Sequence, residues 1–131
     1  MVLEETIVII KNFFNITYVL NDGAAWSILS GYTFLLILVA FVALGVIYFF
    51  FIKKKNLSKL ETITYSFLIG GIIGNLIDRI IYGKVIDYFD FNIFGYDFPV
   101  FNIADICICL SVFVLIIDVV KGEINERNNS K

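Results

Sequence analysis

Histidine is absent from the 131 residues, and cysteine, proline, methionine and tryptophan are nearly so, at 2, 1, 1 and 1. Without histidine the chain lacks the commonest general base and the commonest zinc ligand. The two cysteines, Cys107 and Cys109, stand two apart in an apolar run. On a helix they point to different faces and cannot bridge each other, which leaves them as small apolar fillers. No metal-ligand spacing is present, so neither metal nor cofactor is expected. Charge is scarce too. The net charge is −2, and no basic stripe exists for a nucleic acid to meet. Residues 23 to 52 carry no charge at all.

What fills the chain is apolar surface. Hydrophobic residues make up 60%, with 14 Phe and 7 Tyr, and the mean hydropathy is +0.90. A soluble domain is nearer 45–50% apolar. The composition therefore predicts a single integral membrane domain over 1–131. Three stretches are long and apolar enough to cross a bilayer as helices, about 32–52, 60–80 and 100–120. The fold class expected is all-α, a three-helix transmembrane bundle. Residues 1–31 carry β-branched and aromatic residues broken by Lys11 and Asn12. They read as one or two short strands at the membrane surface, a small β cradle. Residues 83–99 mix aromatics, acids and glycines, as suits an interfacial loop with a short helix or strand. The polar tail, 121–131, reads as frayed.

Lysine and arginine set the orientation. Lys53, Lys54, Lys55 and Lys59 lie between the first two spans, and Lys121, Arg127 and Lys131 follow the third. The positive-inside rule puts that loop and the C-terminus in the cytoplasm, and residues 1–31 and 81–100 outside. Three spans with an inner C-terminus need an outer N-terminus, yet residues 1–31 hold no signal sequence to carry them across. The expectation is that a first transmembrane helix is missing from this reading frame.

The outer level is where polar residues collect. "GNLIDRIIYGKVIDYFD" brings Asn75, Asp78, Arg79, Asp87 and Asp90, and "FPVFNIAD" brings Asn102 and Asp105. "NDGAAWS" brings Asn21, Asp22 and Gly23 to the same level. Three segments delivering polar side chains over apolar walls make the pattern of a site. With no histidine, two carboxyls are the available equipment. Two acids sharing a site do not both ionise easily, so one keeps a proton while the other acts as a base. Such a pair activates water and protonates a departing amine. Asp87 and Asp105 are the candidate pair. Asp105 sits four residues into "NIADICICLSVFVLIID", where a carboxylate is costly enough to need a reason.

Plainer readings compete. Asp78 beside Arg79 reads as an ion pair at a helix end, and Asp90 and Asp97 as solvated loop acids. Asp118 would snorkel or pair with Lys121. Asp105 could be a buried acid bonded to Asn75 or Asn102. Gly70, Gly71 and Gly74 read as glycines that permit close helix packing, Gly70 and Gly74 forming a small-xxx-small pair. Ser27 as a nucleophile lacks a desolvated lysine base, and the sequon Asn15-Ile-Thr17 reads as accidental. An ion conductor built on Asp105 would need a polar path to the cytoplasm, which "GVIYFFFI" and "SVFVLIID" do not offer. A non-catalytic scaffold would tolerate Asp87→Asn; a peptidase would not.

The blocks "FFNITYVLNDGAAWSIL", "GGIIGNLIDRIIYGKVIDYFDF" and "FPVFNIADICI" together resemble lipoprotein signal peptidase, signal peptidase II, in order and spacing over residues 11 to about 118. The resemblance implies an aspartic endopeptidase of the bacterial cell membrane with its active site at the extracytoplasmic face. It implies removal of the signal peptide from prolipoproteins, cut just before a cysteine carrying a diacylglyceryl group. It places the dyad on Asp87 and Asp105 and the supporting residues on Asn21, Gly23, Asn75, Asp78, Arg79 and Asn102. Membrane lipid is the surrounding partner, with no nucleic acid. The family has four transmembrane helices. The block of its first, resembling "DQ-x-TK", has no counterpart in "MVLEETIVII", so an inactive truncated peptidase stands as an alternative. Leu20 stands where the family commonly has histidine.

Overall fold

The computed structural model describes residues 2–24, 28–53 and 56–129. Lys54, Lys55, Ser27 and Lys131, which carried charge or nucleophile readings above, lie outside them. In chain order the elements are β1 (Val2–Ile10), β2 (Phe14–Asn21), α1 (Thr33–Lys53), α2 (Lys59–Tyr82), β3 (Val85–Ile93), β4 (Tyr96–Asp97) and α3 (Ile103–Asn129). Three helices are long and apolar enough to cross a bilayer, over Thr33–Phe51, Lys59–Tyr82 and Ile103–Gly122. At 1.5 Å per residue, the 24 residues of α2 reach roughly 36 Å.

The all-α expectation is corrected by a four-stranded antiparallel sheet, ordered β1-β2-β3-β4. The interfacial segment that allowed a short helix forms β3 and β4 instead. "VIDYFDFNI" suits a strand: it is rich in aromatic and β-branched residues, and from Phe89 to Ile93 apolar and polar side chains alternate. Two strands cover residues 2–21, longer than a surface hairpin needs, because β3 gives β2 a second partner. Where it is described, the tail continues α3 as far as Asn129.

Local signals set the helix ends. Ser58 caps α2, its hydroxyl accepting from Glu61 N at 3.2 Å while the Glu61 carboxylate accepts from Ser58 N at 2.9 Å. This reciprocal box satisfies two donors that the first turn would otherwise leave open. At the other end Gly83 takes φ +70, left-handed backbone that costs glycine least, and its N–H bonds Arg79 O at 3.0 Å. The chain turns there straight into β3. α3 opens with a second box: Asn102 Oδ1 accepts from Asp105 N, and the Asp105 carboxylate accepts from Asn102 N, both at 3.1 Å.

α2 and α3 form the tight contact of the bundle. Gly71 makes it possible, since a Cβ there would stand 2.6 Å from Ala104 O and 2.8 Å from Ile108 Cγ1. The reading of Gly71 as a packing glycine holds, and that of Gly70 with Gly74 as the close-packing pair is corrected. Gly70 faces open space, and a Cβ on Gly74 would only touch Ala104 at 3.4 Å. α1 buries no residue fully between 33 and 51 and leans on α2, with Phe51 edge-on to Tyr65. Asp97, read as a solvated acid, is exposed and accepts from Asn92 Nδ2 at 2.6 Å.

Candidate active site

Aromatic packing brings the sheet to the helices. Phe14 stacks on Phe91 with centroids 4.6 Å apart, and Phe91 stacks on Phe101 at 5.8 Å. Phe101 also pairs its backbone with Phe89, with bonds of 2.8 and 3.2 Å. Phe101 precedes the Asn102 cap directly, so this pairing lays β3 against the first turn of α3. Asp87 on β3 and Asp105 on α3 are thereby turned into one cavity of about 400 Å³. Its polar lining is Asn21, Asn75, Arg79 and the two acids; Val85, Phe98, Pro99, Val100, Phe101 and Ile106 are among its apolar walls.

Asp87 is 1% exposed. One carboxylate oxygen accepts from Asn21 Nδ2 at 2.9 Å, the other from Asn102 Nδ2 at 2.8 Å. Asn102 also donates to Asn75 Oδ1 at 3.0 Å, and Asn75 Nδ2 donates to Asp105 Oδ1 at 2.8 Å. The chain Asn21–Asp87–Asn102–Asn75–Asp105 is therefore continuous and spans β2, β3, α2 and α3. Asn102 holds both acids: its side-chain nitrogen bonds Asp87, and its backbone nitrogen bonds Asp105. Asn75, Asn102 and Asn21 are all buried, where an amide must be paired to be tolerated.

Burial raises the Asp87 carboxyl from 3.8 to about 6. The Asn21 hydrogen bond opposes that rise, the Asp105 charge adds to it, and Asn102 and Arg79 oppose it. A carboxyl tuned so close to neutrality suits proton exchange with water.

Arg79 fixes the loop that follows β2. One guanidinium nitrogen donates to Gly23 O at 2.8 Å and the other to Asn75 O at 3.2 Å. Gly23 N in turn bonds Asn21 Oδ1 at 2.9 Å, so the loop closes on the asparagine that faces Asp87. Asp78 does not pair with Arg79. It accepts from Ile86 N at 3.1 Å and ties the start of β3 to the end of α2. Neighbouring residues on a helix do not face each other, which sends the two side chains to different partners.

All eight candidate residues thus meet at one end of the helices. Sequence reasoning missed the role of Asp90, which is no loop acid: it accepts from Asn15 Nδ2 at 3.1 Å and Thr17 Oγ1 at 2.9 Å. Those donors are the residues of the apparent sequon. It also missed Tyr88, whose hydroxyl accepts from Ile103 N at 3.2 Å. A larger cavity, about 940 Å³, opens at the far end of the sheet between the turns near Asn12 and Gly95. It contains none of the eight and is remote from the chemistry.

A family model described as "Signal peptidase (SPase) II" matches residues 1–121. A curated lipoprotein signal peptidase of Staphylococcus aureus is 42% identical over 129 residues, covering 98% of this chain and 78% of the relative. A solved bacterial membrane enzyme at 2.3 Å resolution superposes with a TM-score of 0.86 and 40% identity, over 95% of this chain and 76% of the other. A second, at 1.9 Å, gives 0.79 and 40%, over 92% and 78%. The fold, the paired carboxyls and these likenesses define a membrane aspartic peptidase. The chain belongs to the signal peptidase II family.

Proposed function

We propose that this chain removes the signal peptide from diacylglyceryl-modified prolipoproteins, cutting the bond just before the lipid-modified cysteine. The observation that carries the reading is the interlock of Asp87 and Asp105 through Asn102, at the mouth of an apolar cavity. Residues 1–131 act as one membrane peptidase domain. The lysines of 53–59 keep that loop and the C-terminus in the cytoplasm, so the sheet and the dyad stand at the extracytoplasmic face.

The catalytic residues are Asp87 and Asp105. One is ionised, the other protonated, and water lies between them. The ionised carboxylate takes a proton from the water as its oxygen attacks the scissile carbonyl. The protonated carboxyl hydrogen-bonds the carbonyl oxygen, which becomes the hydroxyl of a tetrahedral diol. On collapse the C–N bond breaks, the nitrogen of the new N-terminus takes the proton that the first carboxyl had drawn from water, a diol hydroxyl returns its proton to the second carboxylate, and the signal peptide leaves as a carboxylic acid. The apolar walls keep bulk water out and strengthen each charge–dipole contact. Asn21 and Asn102 keep Asp87 oriented, and Asn75 and the α3 cap do the same for Asp105. Asn21 and Arg79 bind the substrate backbone beside the dyad, Gly23 closes the loop between them, and Asp78 holds β3 in place. The signal helix enters from the bilayer, with its lipid chains still in the membrane.

Purified chain in lipid nanodiscs should convert a diacylglyceryl-modified prolipoprotein to a shorter product whose first residue, by mass spectrometry, is the lipid-modified cysteine. The same precursor without the diacylglyceryl group should stay uncut. A cut elsewhere, or equal cutting of both precursors, would refute the substrate assignment.

A further inference from the structure

Asp90 is the one half-buried acid of β3 that the reaction does not use. It lies three residues beyond Asp87, and strand alternation sends the two side chains to opposite faces of the sheet. Asp90 therefore does not touch the substrate. Its single oxygen Oδ2 takes both hydrogen bonds from β2, from Asn15 and from Thr17. Thr17 is itself 1% exposed and receives a bond of 3.3 Å from Thr6 on β1. A line of polar contacts thus runs across three strands and ends on Asp90.

The place of this line is what matters. β2 and β3 pair Asn15 with Asp90 and Ile16 with Phe89, and pairing resumes at Val19 with Asp87. Over that interval β2 spends two residues, Thr17 and Tyr18, where β3 spends one, Tyr88. That is a bulge, and a bulge re-aims the side chains beyond it. Register is the weak point of any strand, because a slip of one residue sends every side chain to the other face. Here a slip would turn Asp87 away from Asn21 and Asn102.

We propose that Asp90 is a positioning residue for the peptidase reaction: by gripping Thr17 and Asn15 beside the bulge it fixes the one register in which Asp87 faces Asn21 and Asn102. The proposal rests on Asp87 being catalytic, which Asp87→Asn tests independently. Asp90 acts as an acceptor pair, so an amide oxygen serves in its place and a methyl does not.

The test uses the full chain in nanodiscs. Asp90→Ala should lower kcat about tenfold or more with KM within about twofold, as befits a shifted carboxyl rather than a lost contact to substrate. Asp90→Asn should restore kcat to within about threefold of wild type. Asn15→Cys combined with Asp90→Cys supplies the register lock in another form, since these two residues stand opposite each other. With the cross-link verified by mass spectrometry, the oxidised form should regain kcat and the reduced form lose it. Oxidant should leave wild type unchanged. Unchanged kcat in Asp90→Ala, a loss carried by KM, or a cross-linked form as slow as the reduced one would each overturn the proposal. Should Asp90→Ala fail to fold, the cross-linked pair decides by the same criterion.

Discussion

Gly71→Ala places one methyl where α2 meets α3, and its cost follows from two distances. The new Cβ would stand 2.6 Å from Ala104 O and 2.8 Å from Ile108 Cγ1, against 3.3 Å from Cys107 Cβ. Ile108 can rotate away, but Ala104 O is backbone, so the two helices must part. Overpacking of this kind costs about 1–3 kcal/mol. Better helix propensity returns about 1 kcal/mol. Function should suffer more than stability. Asn75 is one turn along from Gly71, and Asp105 follows Ala104, so the helices part at the 2.8 Å bond between Asn75 and Asp105. A misplacement of about 1 Å at a catalytic group can cost on the order of a hundredfold in rate. Gly70→Ala is the control, because its Cβ would meet nothing within 4 Å. It should gain up to about 1 kcal/mol and keep full activity. Thermal unfolding in detergent and cleavage rates in nanodiscs give both readings. Equal behaviour of the two variants, or a destabilised Gly71→Ala with wild-type rate, would refute the claim that this contact sets the site.

Other consequences are open to the same assays. Since burial lifts Asp87 to about 6, one limb of the kcat/KM–pH profile should have its midpoint near 6, where Asp87 changes protonation. The Asn21 bond favours the ionised carboxylate, so Asn21→Ala should move that limb to higher pH; no movement would deny the bond its role. The raised Asp87 carboxyl also opposes folding once ionised. Its contribution to stability should decline between pH 3.8 and about 6 and level off above, readable as a pH-dependent unfolding midpoint. Arg79→Lys should lower kcat/KM by about tenfold or more, since one ammonium cannot reproduce the fork that reaches both Gly23 O and Asn75 O. Asn102→Ala removes the bonds to Asp87 and Asn75 and the side-chain half of the α3 cap, leaving only its backbone bond to Asp105, and should cost about 1–3 kcal/mol of stability along with nearly all activity.

The parts of this molecule that were legible in the sequence are those governed by composition and local spacing. Three uncharged or weakly charged runs mark the three long helices, and the polar blocks at one end of those runs are where the eight candidate residues meet. Long-range pairing was not legible. Asp90 looks like a loop acid until β2 is laid beside β3, because its partners Asn15 and Thr17 are some seventy positions away. The choice between helix and strand in the interfacial segment stayed open for the same reason, since β3 forms where β2 supplies its hydrogen bonds. Two local signals were at hand in the sequence. "NIAD" is a capping-box pattern with the acid three residues after the cap, and it announces both the start of α3 and the orientation of Asp105. Asp78 and Arg79, being adjacent on a helix, were never placed to face one another. Gly70 and Gly71 are indistinguishable in sequence; only the position of Ala104 tells which of them is needed.

The central claim is that Asp87 and Asp105 together cut the substrate. The direct measurement is cleavage of diacylglyceryl-modified prolipoprotein by wild type, Asp87→Asn and Asp105→Asn, with unfolding midpoints recorded for each. The account predicts that both variants stay folded and that neither cleaves above the uncatalysed background. A folded variant of either kind that still cuts at the lipid-modified cysteine would contradict it.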